Sequence, residues 1–272
     1  MITKNEFTFY FEFYSFSLIG NGVRNFLHGQ TTNDILGCKD NERIFTCWLS
    51  TNGELKNILE ITIVGEEAKI LVILGDAESI YNGFNKVIFP NDKVNLMELK
   101  LIKSLRNLNK LESWRESFKK SDLVNDDKLN EKNADIKDYD RLRHENGLIL
   151  DFNETSKDLN PFEIGLVDLL SYNKGCYLGQ EFIARFSKNK EVRREIRYWK
   201  SREKIDVGEN LYNDHENKKS CGKITSSVKI DENEYIGYAI IKKDYFNMRS
   251  LYSEKFYYLI NINRPNGFMG FK

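Results

Sequence analysis

The sequence predicts an α+β fold that ends in a small antiparallel β-barrel. Three observations carry this. Before residue 191, apolar runs with alternating burial are interspersed with runs of helical periodicity. After residue 191 the helical pattern stops. Short strands at 192–199, 222–230, 234–241 and 255–262 then follow one another between Asn, Asp and Gly turns. The length of 272 residues suffices for two or three modest domains with a sizeable core.

Each element has its own reason. Phe7, Phe9, Phe11 and Phe13 fall on alternate positions, which predicts a half-buried N-terminal strand. Glu12 interrupts this run and no small-residue cleavage site follows, so a secretory signal is not expected. Residues 17–35 read as a strand end, a Gly20-Asn21-Gly22 turn and a helix carrying Val23, Phe26 and Leu27 on one side. Residues 43–49 and 55–64 form two strands around Ser50-Thr51-Asn52-Gly53-Glu54, where Asn-Gly between apolar runs signals a hairpin. A strand at 69–74, a helix at 77–87 and a strand at 94–99 follow. Residues 112–135 are polar and lysine-rich, a solvated helix and loop. Residues 138–145 predict a helix that Gly147 ends as its C′ residue. Residues 151–163 form a polar loop, and no internal repeat occurs.

Lys plus Arg and Asp plus Glu number 41 each, so no polyanion-binding surface covers the whole molecule. No apolar run reaches the roughly 18 residues of a membrane span. Neither direct nucleic-acid binding nor membrane attachment is expected, and the expected compartment is the cytoplasm. The four cysteines, Cys38, Cys47, Cys176 and Cys221, form no C-x-x-C pair. With three histidines at irregular spacing (His28, His144, His215), no metal site is expected.

The segment Lys174-Gly175-Cys176-Tyr177-Leu178-Gly179-Gln180-Glu181 places a thiol, an ammonium, a phenol, a carboxylate and two glycines together. A core does not need that mixture, since each buried polar group without a partner costs free energy. A site does need it. Lys174 near Cys176 would favour the thiolate, the reactive form of cysteine.

This segment with Phe182-Ile183-Ala184-Arg185 resembles the signature of the folate-binding YgfZ-type proteins, relatives of the glycine-cleavage T-protein, an aminomethyltransferase. Further segments resemble the family in order: Phe26 to Asp34 (FLHGQTTND), Cys47 to Leu55, Arg141 to Gly147 (RLRHENG), Asn160 to Glu163, Gly222 to Ser226, and Gly237 to Ala239. The resemblance implies a three-domain cloverleaf around a folate cleft. Residues 1–47 and 145–190 would form a discontinuous folate-binding domain, 48–144 an inserted α+β domain, and 191–272 the barrel. It also implies tetrahydrofolate or a one-carbon derivative as cofactor, with transient iron–sulfur client enzymes, tRNA-modifying ones included, as partners.

By that resemblance Glu145 is the pterin anchor, since a carboxylate accepts two parallel hydrogen bonds from an N–H edge. The residues alone favour a helix-end carboxylate paired with Arg141 or Arg143. Cys176 is the expected reactive residue, assisted by Lys174. Tyr177 would stack on a flat ring. Gln180 and Glu181 would either contact the ligand or hold the loop. Arg185 and Arg193 would either meet the glutamyl carboxylates of folate or lie free on the surface. Asn33 closes a turn, and Asp34 either does the same or lines the cleft.

Two functions from different classes follow. The first is a tetrahydrofolate-binding accessory protein that maintains or matures [4Fe–4S] enzymes. The second is a folate-dependent aminomethyltransferase. The T-proteins carry a FIGR-like string where this chain has Tyr177-Leu178-Gly179-Gln180, and they lack the cysteine. Asp76 stands near the place of a catalytic carboxylate, in a surrounding pattern that is not theirs. Both departures favour the first function.

Overall fold

The computed structural model describes residues 6–121, 136–155, 158–189, 192–214, 219–254 and 259–270. The expected solvated stretch beyond residue 121, the first half of the expected strand 255–262 and His215 lie outside the described residues. The elements run β1 (Glu6–Ile19), α1 (Val23–Gln30), β2 (Arg43–Leu49), β3 (Leu55–Val64), β4 (Glu67–Leu74), α2 (Ala77–Val87), β5 (Asn95–Leu96) and β6 (Lys100–Asn109). Then come α3 (Trp114–Lys120), α4 (Ile136–Glu145), α5 (Gln180–Asn189), β7 (Arg194–Ser201), β8 (Asn210–Tyr212) and β9 (Ser220–Ile224). The last strands are β10 (Val228–Asp231), β11 (Glu234–Lys242), β12 (Ser250–Ser253) and β13 (Leu259–Asn263). The chain folds into two compact units, each built from separated stretches of sequence.

One unit holds residues 11–104 and 166–191. Its sheet has the order β2-β3-β4-β1-β5 with antiparallel neighbours. The expected hairpin is β2 and β3, in register from Arg43 opposite Thr62 to Leu49 opposite Leu55. Helices α1 and α2 bury Val23, Phe26 and Leu27, and Ala77, Ile80 and Phe84, in one cluster with Phe16, Leu59, Ile61 and Ile70. Each such side chain contributes roughly 1.5–3 kcal/mol by leaving water. Asp76 starts α2: its Oδ1 accepts from the backbone N–H of Glu78 and Ser79.

The other unit holds residues 1–10, 105–165 and 192–272. Strands β11-β7-β13-β12-β8-β9 return to β11 and close a six-stranded antiparallel barrel, with β10 added outside on β11. Closure removes the exposed edges of a small sheet. Trp199, Leu211, Ile224, Ala239, Ile241, Leu251, Ile260 and Ile262 fill the interior. The Trp199 indole N–H is satisfied there by the carbonyls of Ser226 and Tyr238. Period-two alternation turns Tyr198 and Lys200 to the outer face of β7. Helix α4 packs on the outside of β10 and β11. Gly147 follows α4 at φ +72°, the left-handed conformation expected of a C′ residue.

Two elements differ from the sequence expectation. The strand expected over 94–99 shrinks to β5, and the long strand is β6, whose buried positions are Ser104, Arg106 and Leu108. Polar residues inside a strand hide its alternation. Arg106 is fully buried with its guanidinium 5.1 Å from the Phe118 ring centre. Helix α5 carries no clear sequence signal, because only Ile183 of its described side chains is fully buried.

Candidate functional site

In the barrel unit, the candidate residue is Glu145, the last residue of α4. The Tyr198 phenol on the outer face of β7 donates to its Oε1 over 3.5 Å. Its backbone carbonyl accepts from the N–H of Asn266 at 2.7 Å. Among the described residues no basic side chain pairs with the carboxylate, because its neighbours are engaged elsewhere. Arg141 binds Glu234 at 2.7 Å and Asp138, and Lys200 also binds Glu234. Arg143 binds Glu154 and Asp140. The ion pairs with Arg141 or Arg143 that the residues alone favour therefore do not form. Burial raises the Glu145 pKa above the usual carboxylate range, while Arg141, Lys200, Lys110 and the Tyr198 hydroxyl pull it down.

Under α4, His144 is fully buried against the Tyr238 ring, centres 4.6 Å apart. Its Nδ1–H donates to the Asp140 carbonyl at 2.7 Å. Burial, with Arg143 beside it, drives its pKa to about 3. A neutral His144 is a packing residue of the helix, not a proton carrier near pH 7.

In the other unit, the segment 171–178 runs antiparallel along residues 29–33. The N–H of Ser171 donates to the Thr32 carbonyl and that of Leu178 to the Gly29 carbonyl. Between these ties, the Lys174 ammonium donates to three carbonyls: His28, Thr31 at 2.6 Å and Asn33 at 2.8 Å. These lie at and just past the C-terminus of α1, where backbone carbonyls lack helical partners and the helix dipole favours a cation. Burial draws the Lys174 pKa down to about 8, and Asp34 opposes this. The three carbonyls act with Asp34, since only the charged amine offers three N–H groups. The ammonium also lies 4.8 Å from the centre of the buried Tyr177 ring. All its donors are spent on the backbone, so Lys174 holds the loop.

Cys176 is exposed two residues further on, whereas Cys38, Cys47 and Cys221 are buried and none is in a disulfide. Burial pushes the thiols of Cys38 and Cys221 up. The two glycines of the motif have different grounds. Gly179 has φ +81°, and a Cβ there would stand 2.8 Å from the Ser50 carbonyl oxygen, so the fold requires glycine. Gly175 has open space where a Cβ would sit. Gln180 and Glu181 open α5, Gln180 partly buried and Glu181 exposed. Arg185 is exposed on α5 with its guanidinium 6.0 Å from the Phe182 ring centre. Arg193 is exposed in the barrel unit. Asn33 ties its turn to β2 through the Phe45 carbonyl and the Thr46 hydroxyl. Asp34 pairs with His28 at 3.4 Å. Among the described residues no cluster of three or more His, Cys, Asp or Glu is arranged to hold a metal ion.

Two residues escape the sequence reading. Tyr198 takes an outward strand position yet is nearly buried, and only its alternation against Trp199 hints at a second use. Thr32 is fully buried, and its hydroxyl joins the Leu169 carbonyl, at 2.7 Å, to the N–H of Cys47.

The sequence matches no protein-family model and no curated protein. Among solved structures the chain is similar to the glycine cleavage system aminomethyltransferase T from Bartonella henselae. The TM-score is 0.71 at 14% identity, over 98% of this chain and 88% of that one. The fold is thus aminomethyltransferase-like, a mixed α/β architecture with a closed six-stranded barrel. A shared fold at that identity does not transfer an activity. No helix among the described residues is long and apolar enough to cross a membrane.

Proposed function

We propose that the protein binds tetrahydrofolate, or a one-carbon derivative, and supports maturation or repair of [4Fe–4S] enzymes, tRNA-modifying ones included. In this reading its body is a three-domain cloverleaf, with residues 1–47 and 145–190, 48–144 and 191–272 as domains. The observation that carries the folate reading is the Glu145 carboxylate. It is partly buried and unpaired, while Arg141, Arg143 and Lys200 are bound to other acids. A carboxylate in that state keeps an oxygen ready for a ligand N–H edge, so the residues present fit a pterin. When bound, the folate would supply a reduced pterin able to carry a one-carbon unit.

Cys176 is the proposed reactive group, exposed on a loop that Lys174 fastens to the end of α1. Tyr177, Gln180, Glu181 and Arg185 are the proposed ligand neighbours around it. The motif's resemblance to the YgfZ-type signature supports this role.

Folate-dependent aminomethyl transfer is the second reading, favoured by the likeness to an aminomethyltransferase fold. Asp76 weakens it, because that carboxylate is already spent on capping α2.

The test is complementation of cells lacking the protein, with the activity of a [4Fe–4S] enzyme as readout. Cys176→Ala is expected to fail to restore it, and full rescue would remove the thiol from the function. Calorimetry with tetrahydrofolate tests the ligand, and absence of binding ends both readings.

A further inference from the structure

Next to Glu145 the barrel carries a concavity of about 730 Å³, within the size range of small-molecule sites. It is lined by Lys200 and Arg202 at the end of β7, Asn233 and Glu234 at the β10–β11 turn, and Asn261 of β13. Tyr198 and Lys200 are two positions apart on one strand and share its outer face. Asn261 is the β13 partner of Lys200 across the sheet. The concavity therefore continues, along β7, the surface on which Tyr198 meets Glu145.

Its charges are unevenly committed. Glu234 has two cations, Arg141 at 2.7 Å and Lys200 at 2.5 Å, and one suffices to neutralise it. Lys200 is half exposed and can exchange that partner for another at little cost, as is usual for surface ion pairs. Arg202 is exposed and has no ion pair among the described residues. Arg141, Lys200 and Arg202 against Glu203 and Glu234 leave one uncompensated positive charge at the rim.

We propose that this concavity takes the anionic, carboxylate-bearing end of the ligand whose N–H edge Glu145 holds. The proposal rests on the reading of Glu145 given above. It assigns recognition of the carboxylates to Lys200 and Arg202, in place of Arg185 and Arg193.

Calorimetry with two probes tests this. Tetrahydrofolate carries both the N–H edge and the glutamyl carboxylates, and tetrahydropteroate carries the edge alone. The exposed double variant K200Q/R202Q, its fold checked by circular dichroism, is expected to bind tetrahydrofolate about tenfold more weakly. Its affinity for tetrahydropteroate should stay within about twofold of the parent, since no charge pair is lost there. Equal affinity of the unaltered protein for the two probes overturns the proposal. So does a double variant that binds tetrahydrofolate normally while Arg185→Gln does not. Glu145→Gln separates the two claims: weakening of both probes supports the Glu145 reading. If that substitution changes neither, the Glu145 reading falls, and the difference between probes in the double variant still decides the concavity.

Discussion

Glu145 and Lys174 are both partly buried charges at the C-terminal end of a helix, and the structure treats them in opposite ways. The negative end of α1 welcomes the Lys174 ammonium, and three carbonyls use all its donors. The negative end of α4 repels the Glu145 carboxylate, its one side-chain partner is a phenol 3.5 Å away, and the nearby cations are engaged elsewhere. A charge placed where the fold benefits is a fastening. A charge placed where the fold loses needs another justification, and a ligand N–H edge supplies one.

The largest effect should come from breaking the fastening. Lys174→Met leaves three carbonyls without their donor and should destabilise the protein by about 3 kcal/mol, read as a lower midpoint in thermal or urea denaturation. A loss below about 0.5 kcal/mol would make Lys174 a group free for chemistry. Glu145→Ala should do the reverse, with stability nearly unchanged and tetrahydrofolate affinity down about 100-fold, roughly 2.7 kcal/mol. Unchanged affinity in calorimetry removes Glu145 from the site.

The two motif glycines sharpen the contrast within one loop. Gly179→Ala should cost about 2 kcal/mol, because a Cβ at positive φ would press on Ser50. Gly175→Ala should stay within about 0.5 kcal/mol in the same denaturation assay.

The smallest effect concerns pH. The Glu145 pKa is raised in the folded state, so the native form holds its proton more tightly than the unfolded chain. Its contribution to stability is present below the ordinary carboxylate value and lost as pH rises through the raised value. Glu145→Gln should thus be at least as stable as the parent near pH 7. Ligand binding has the opposite slope, since it needs the carboxylate and weakens as pH falls through the same value. Tyr198→Phe removes a donor that favours the charged form. It should weaken binding by about 1 kcal/mol and move that midpoint upward. A pH profile identical to the parent's would leave Tyr198 with packing alone.

Much of the fold is readable from the chain because its elements obey simple periods. The β2–β3 hairpin, α2 and the strands after residue 191 stand where alternation, turn residues and helical spacing put them. Strand β6 is not readable, because Ser104 and Arg106 occupy its inward positions and disguise a buried face as a polar one. The Glu145 and Cys176 segments draw attention through their residue types, but their surroundings do not. Tyr198 is 53 residues from Glu145, and the carbonyls that seat Lys174 lie 141 to 146 residues before it.

The chain alone established an α+β protein with a terminal barrel and an unusual thiol-bearing loop. Local propensity and pattern act over a few residues, and those features need no more. Tertiary structure decided which charges are spent. It spent Lys174 on backbone carbonyls, Asp76 on a helix cap and Arg141 on Glu234, and it left Glu145 unpaired. A side chain's remaining capacity depends on partners brought together by folding, and sequence spacing does not encode those partners.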